Sequence, residues 1–278
     1  MKTERPLPGL SILLPLLAFA ALTPLAARGD SSAATSSWLP AVHIVGASGV
    51  FRTDVQIFNP DPTRYAPVRL YFTPAGADGT TLPGWELSPA LSPRESITLE
   101  DVVVNYLGFS SGFGLLEVRS GDTTPLIVTS NLYNVSGEKP GTYGQFSPGQ
   151  PYRKSVGFDE SVFGDLYIVG LKNDPVFRTN VALMNPSAAE LEAGLQVVDA
   201  GGQVWASRAY LVPPFSIRQI NDLFEKEFPA AGMPRGGPYR LTVFVNLSNE
   251  ARVLCYASVI DLRTGDPYLI PGEPTIAP

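Results

Sequence analysis

The chain has 278 residues, a formal net charge of −6, 44% hydrophobic residues and 17% charged residues. This composition is too apolar for a disordered chain, and an acidic chain without a basic cluster argues against nucleic acid and anionic membrane surfaces as partners. With one cysteine, Cys255, and one histidine, His43, the chain has no intrachain disulfide and too few ligands for the usual zinc and copper sites.

Residues 1–27 resemble a secretory signal peptide. Lys2 and Arg5 give a positive start, and an apolar run from Leu10 to Ala27 ends in small residues. We predict that this segment is cleaved; an uncleaved anchor helix is the alternative, because the run only just reaches spanning length. Residues 28–37 are rich in Ser and Ala and predict a flexible leader. The expected location is secreted, at the cell surface or in the periplasm.

A repeat then organises the rest of the chain. The stretch from Val50 to Pro60, beginning Val-Phe-Arg-Thr and ending Asn-Pro, returns 126 positions later from Val176 to Pro186. We interpret this as one domain written twice. The predicted boundaries are 38–149 for β-sandwich unit 1, 150–165 for an exposed linker and 166–278 for β-sandwich unit 2.

Short strands with turn signals between them fill both units. Thr53, Val55 and Ile57 alternate with more polar residues, which is typical of a half-buried strand. One short helix is predicted in each unit, over 101–107 and 222–228, with acids at the start of the first helix. The predicted fold class is all-β, with two tandem β-sandwich domains of immunoglobulin-like or jelly-roll-like type.

Candidate catalytic residues are few. His43 is expected on a partly exposed strand face, where Tyr167 stands in unit 2, and the chain has no Gly-x-Ser-x-Gly motif to present a nucleophile. Cys255 is expected to be a small core residue. No acid pair, metal-ligand cluster or phosphate loop stands out, so we predict no enzyme activity, no cofactor and no metal.

Binding residues are the better candidates. Trp85 and Trp205 are placed at the same position of the two units and could stack on sugar rings, although their apolar neighbours favour packing in the core. Arg52 and Arg178 repeat as well. Each could pair with the acid at the start of its unit's helix, Asp101 or Asp222, or could bind a carboxylate or sulfate ligand.

The chain also resembles a group of uncharacterised exported bacterial proteins with two tandem immunoglobulin-like β-sandwich units. The resemblance rests on Phe51 to Asp54, Asn59-Pro60, Glu100-Asp101 and Gly141 to Phe146. Unit 2 departs from the pattern at Asn180 and has no Gly-Thr-Tyr-Gly-Gln run. The resemblance implies a surface location and no assigned activity.

These observations lead to three hypotheses about function. The leading one is a non-catalytic exported structural or interaction module of the adhesion type, whose partner is a protein or polysaccharide at the cell surface. The second is a carbohydrate-binding module that uses the tryptophans. The third is a hydrolase with two carboxylates in a cleft between the domains.

Overall fold

The computed structural model describes residues 33–46, 49–135, 143–158, 164–229, 232–246 and 250–275. The predicted signal peptide and residues 28–32 of the predicted leader lie outside the described residues. Within the described ranges, no helix is both long enough and apolar enough to cross a membrane.

Antiparallel strands form two facing sheets in the first repeat. The strands are β1 (Ser36–Gly46), β2 (Gly49–Phe58), β3 (Ala66–Pro74), β4 (Trp85–Leu91), β5 (Ser96–Leu99), β6 (Gly112–Ser120), β7 (Ile127–Asn134), β8 (Tyr143–Pro148) and β9 (Gln150–Pro151). One sheet has the order β4-β3-β6-β1-β9 and the other β5-β2-β7-β8. The long strand β1 joins them, because it pairs with β6 along most of its length and with β2 at its end.

The second repeat reproduces most of these pairings, but its two sheets are separate, because no pairing of β11 with β12 in the described ranges corresponds to that of β1 with β2. Its strands are β10 (Val156–Gly157), β11 (Leu166–Asn173), β12 (Phe177–Met184), β13 (Leu191–Asp199), β14 (Val204–Val212), β15 (Ile217–Ile220), β16 (Gly236–Val245), β17 (Arg252–Asp261), β18 (Pro267–Pro271) and β19 (Glu273–Pro274). The sheets are β14-β13-β16-β11-β19 and β10-β17-β12-β15, with β18 also pairing with β17. The all-β sandwich prediction is confirmed.

The helical content is shorter than predicted. Helix α1 spans Val102–Asn105, and the second repeat has a π-helical turn at Leu223–Glu227. The residues before them, Asp101 and Asp222, have left-handed backbones, with φ of 46° and 57°, and their side chains make no capping bond. The expected capping of the first helix by Asp101 is therefore wrong, because its carboxylate is hydrogen-bonded to His43 instead.

The predicted equivalence of Trp85 and Trp205 is wrong. In the first repeat Trp85 pairs with Leu70 of β3. The second-repeat counterpart of Leu70 is Leu195, and that residue pairs with Arg208. Register shifts in both strand pairs move the two tryptophans apart. Sequence offsets cannot reveal such bulges, because each extra residue reverses the alternation of faces.

The bulge in the second repeat also changes which residues share a strand face with Trp205. Ala209 and Leu211 were expected on its core-facing side, but both are exposed. Tyr210 and Val212 are buried in their place.

The match of His43 with Tyr167 is also wrong. Leu39 pairs with Leu116, and Ile168 pairs with Leu241, which is the equivalent of Leu116. Leu39 therefore matches Ile168. The same pairing places His43 at the position that Asn173 occupies in the second repeat, opposite the start of the neighbouring strand.

The predicted linker contributes strands to both repeats. Strand β9 pairs with β1, and β10 pairs with β17; between them lies a 3₁₀ turn at Tyr152–Lys154. Both two-residue strands are buried. The connector is therefore buried along its two strands, whereas Tyr152, Arg153 and Phe158 are exposed, and residues 159–163 lie outside the described residues.

An apolar seam joins the two repeats. The outer face of the first repeat's β1-β6 sheet packs on the outer face of the second repeat's β12-β17 sheet. The buried residues of this seam cluster are Trp38, Leu115, Ala182, Met184, Ile217, Leu254 and Tyr256. The ring of Trp38 stacks on Phe215 with centroids 5.9 Å apart and 4° between the planes. The described residues of both repeats thus form one compact unit.

We expect Trp38→Ala to lower the free energy of unfolding by about 3–5 kcal/mol, because it leaves a cavity in the seam. Trp38 is 3% exposed. Its indole Nε1 is buried without a hydrogen-bond partner in the described part of the chain, so Trp38→Phe should cost much less. Urea denaturation measures both variants. Equal losses for the two would contradict this account of the seam.

Candidate functional site

A cavity lies between the repeats, where the seam opens at one end. It is a cleft of about 830 Å³. One wall comes from β1, β2, β6 and β7 of the first repeat, and the other from β12, β15, β17 and the π-helical turn of the second. Volumes of this size are typical of small-molecule sites, which often form where two domains meet.

The second repeat supplies both cations and most of the polar residues of the cleft, beside the apolar side chains of Val181, Ile260, Leu262 and Pro267. Arg178, Asn180, Gln219, Asn221 and Lys226 line the cleft. Side chains of β12 point alternately to the core and outwards. The outward residues at the start of the strand, Arg178 and Asn180, line the cleft. The outward residues further along, Ala182 and Met184, lie in the seam. Asn180 is held in place because its side-chain oxygen accepts the backbone N–H of Asp222 at 3.0 Å.

Arg178 is the least satisfied group in this wall. Its Nε is buried and has no hydrogen-bond partner among the described residues. No ion pair involves Arg178 or Lys226 in the described ranges. An unpaired buried N–H is unfavourable, so the cleft presents a donor that a ligand can satisfy.

The first-repeat wall is mostly apolar. Val42, Ile44, Phe51, Phe113 and Leu132 line it. Tyr256 adds a second-repeat aromatic side chain and is 4% exposed. Burial raises the pKa of Tyr256, so this hydroxyl stays neutral at physiological pH. The first-repeat wall is therefore apolar apart from Asn134 and Gln145, and both cations of the described lining belong to the second repeat.

Asp261 is the one carboxylate among the described residues that line the cleft. It accepts the backbone N–H of Arg263 at 2.8 Å and lies 3.3 Å from that side chain's guanidinium. The backbone hydrogen bond from Arg263 is the main cause that lowers the pKa of Asp261. The Asp261 carboxylate is thus already bonded to Arg263 within the same turn.

The first repeat carries a polar cluster at the corresponding place. The Nδ1 of His43 lies 2.9 Å from both carboxylate oxygens of Asp101, so Nδ1 carries the hydrogen that the carboxylate accepts. Arg52 Nε lies 3.6 Å from the same carboxylate, which is the arginine–acid pairing proposed from the sequence. Asp54 accepts the Asp101 N–H at 2.8 Å and the Tyr133 hydroxyl at 3.0 Å.

His43 differs from its expected environment. It is 9% exposed, whereas a partly exposed strand face was predicted. The left-handed turn at Asp101 brings the carboxylate over the end of β1, where it covers the imidazole. The histidine therefore contributes to holding this turn.

Comparison of the two repeats shows how the surroundings of Arg178 differ from those of Arg52. Arg52 and Arg178 are equivalent, but Asp54 is replaced by Asn180 and His43 by Asn173. Asn173 donates to the Met233 carbonyl at 3.0 Å instead of contacting an acid. The second repeat has thus lost the anion at the Asp54 position. It keeps Asp222, the counterpart of Asp101, but no ion pair joins Asp222 to Arg178 in the described ranges, so the pairing expected from the sequence is found in the first repeat alone.

The two tryptophans lie outside the lining of the cleft. Trp85 contacts Tyr106 edge-to-face, with centroids 5.4 Å apart. Trp205 donates from Nε1 to Asp199 at 2.9 Å. Both are half-buried and pack against the cores of their repeats. Of the four candidate residues from the sequence, only Arg178 lines the cleft, and a ligand role for the others stays a prediction.

Cys255 is fully buried in the second core, as expected for a small core residue. Burial raises the pKa of its thiol, which keeps it protonated and unreactive near neutral pH. Among the described residues, no group of three or more His, Cys, Asp or Glu side chains is placed to hold a metal ion.

Sequence reasoning missed Lys226, Gln219 and Asn221 as part of the site. One signal was available in the sequence: the arginine is kept in both repeats, whereas Asp54, two residues after Arg52, is replaced by Asn180. The seam could not be seen in the same way, because it depends on how two similar sandwiches pack. Comparison of the chain with protein-family models and with curated proteins finds no match.

We expect His43→Ala to lower the free energy of unfolding by about 1–3 kcal/mol, because the buried Asp101 carboxylate loses a hydrogen bond. His43→Asn, which copies the second repeat, is the matched control and should lose less. Chemical denaturation of both variants measures the difference. A His43→Ala variant as stable as the parent would show that this hydrogen bond contributes nothing.

The Tyr133–Asp54 contact predicts a loss of stability in alkali. Burial, and then the hydrogen bond to Asp54, raise the pKa of Tyr133 to about 12 from its usual 10.0. Because the folded state favours the protonated phenol, the contribution is complete below pH 10.0 and disappears as the pH rises towards about 12.

Thermal unfolding measured between pH 9 and pH 12 tests this alkaline dependence. The Tyr133→Phe variant removes the titrating hydroxyl, so its melting temperature should fall less steeply over this range. Parallel curves for the variant and the parent would assign the alkaline loss to other tyrosines.

Proposed function

We propose that the protein is a non-catalytic, exported interaction module in which two β-sandwich repeats act as one rigid body. The apolar seam is the observation that carries this proposal. The seam fixes the two repeats relative to each other, so the two walls of the cleft keep a fixed distance and orientation. A binding site built from both repeats needs this preorganisation.

The composition of the cleft supports binding over hydrolysis. Glycoside hydrolysis requires two carboxylates on either side of the bond, and the described lining offers Asp261 alone. His43 is turned towards Asp101 inside the first repeat. These placements favour recognition of a ligand without turnover.

The carbohydrate-binding alternative relies on Trp85 and Trp205. Their packing against the two cores leaves each ring only partly accessible, and they do not share a position on the two repeats. Retention on polysaccharide columns that is lost in Trp85→Ala or Trp205→Ala would favour this alternative over the cleft.

Export is part of the proposal and rests on the first 27 residues, with their positive start, apolar run and small residues. The chain has one cysteine, so the exported protein would work without an intrachain disulfide. The partner that we propose is a component of the cell surface.

Incubation of the purified, exported protein with isolated bacterial cell envelopes tests the proposed function. We expect retention on the envelopes without release of reducing sugars, peptides or acids from them. Trp38→Ala, which loosens the seam, should lower retention on the envelopes at least several-fold. The matched Trp38→Phe variant should be retained as well as the parent protein. Product release, or full retention by a folded Trp38→Ala protein, would overturn the proposal.

A further inference from the structure

We propose that the cleft between the repeats binds an amphiphilic carboxylate, meaning an apolar chain or side chain that ends in a carboxylate group. This inference rests on the proposed function, since it names the class of ligand for the same cleft. Arg178 and Lys226 receive the carboxylate, and the first-repeat wall receives the apolar part.

The charge of the ligand follows from the unpaired arginine. Arg52, the equivalent residue, has the Asp101 carboxylate 3.6 Å from its Nε. The buried Nε of each arginine lacks a hydrogen-bond partner among the described residues. Arg178 differs from Arg52 because it has no acid within ion-pair distance in the described structure. A ligand carboxylate matches the planar guanidinium fork and restores the partner that the first repeat supplies internally.

Lys226 adds a second positive charge on the same side of the cleft. The nearby amides of Asn180, Gln219 and Asn221 carry no charge, so they do not cancel it. Asp261, the remaining charged residue of the described lining, is neutralised by Arg263. The local field therefore attracts an anion although the whole chain has a net charge of −6.

The apolar part of the ligand follows from the opposite wall. Ile44, Phe51, Phe113 and Leu132 present hydrocarbon across the cleft from the cations. A sugar ring would leave its hydroxyl groups unpaired against this wall, and an inorganic anion would leave the wall in water. An alkyl chain or an apolar side chain buries it.

Two sources share this chemistry, namely a fatty acid and the C-terminus of an apolar peptide. Isothermal titration calorimetry of the purified exported protein compares two pairs of probes. The first pair is octanoate and octanol. The second is acetyl-Leu-Phe with a free C-terminus and the same peptide with an amidated C-terminus. We expect at least one carboxylate probe to bind tenfold or more tightly than its uncharged partner. Whichever carboxylate binds better identifies the source.

Arginine variants supply the matched control. Arg178→Met keeps the length of the side chain and removes its charge, so it should weaken the carboxylate probe by about 10- to 100-fold, as expected for a charge-assisted hydrogen bond. It should leave binding of the uncharged probe unchanged. Arg52→Met makes the same change in the first repeat, away from the cleft, and should leave the affinity for both probes unaltered.

The inference is overturned if neither carboxylate binds, if charged and uncharged probes bind equally, or if Arg52→Met and Arg178→Met weaken binding alike. These failures are distinct from failure of the proposed function. If the parent protein is still retained on envelopes without product release, the interaction module stands and only the ligand class is wrong.

Discussion

Burial of one outer sheet face against another is the constraint on which the rest of this structure depends. A β-sandwich needs only its inner faces to be apolar, yet β12 and β17 are buried on both faces. In β17 the core residues Val253, Cys255 and Ala257 alternate with Leu254 and Tyr256 of the seam. Continuous apolar runs of this kind are otherwise typical of buried parallel strands. The seam therefore accounts for a feature of the sequence that one sandwich alone would not require.

The duplication supplied two copies of one surface and gave them different environments. The outer face of β2 carries Arg52, Asp54 and a polar network, whereas the same face of β12 carries Arg178 and then enters the seam. Arg94 and Phe215 are equivalent, because Val55 pairs with Leu99 and its counterpart Val181 pairs with Ile220. These two residues show the same divergence. Both residues have left-handed backbones, with φ of 61° and 50°, but Phe215 stacks on Trp38. The backbone was kept while the side chains were changed to suit a neighbour.

Much of the fold could be predicted from the sequence, and the reasons are local. Alternation in Thr53, Val55 and Ile57 identified a strand, and the repeated Asn-Pro identified its end. Asn59 and Asn185 confirm the importance of that position, since each amide nitrogen donates to several backbone carbonyls across its turn. Signals of this type depend on neighbours in the chain, so one sequence is enough to read them.

The errors and omissions have a common physical origin as well. The equivalences of Trp85 with Trp205 and of His43 with Tyr167 failed because bulges and loop insertions change register without changing composition. The cleft was missed because its walls come from strands far apart in the chain. The environment of Arg178 depends on which acids a packed neighbour brings near, and sequence spacing does not record that.

The short connector between the repeats determines how strong the seam must be. Separate chains need an interface of about 1,000 Å² or more to remain associated, since association costs translational and rotational freedom. Here the few residues between β9 and β10 link the two repeats covalently, so the effective concentration of one repeat near the other is of millimolar order or higher. A modest seam is then sufficient to keep the repeats docked. Cleavage of the chain between these two strands would turn a stable intramolecular contact into a dimer whose survival depends on dilution.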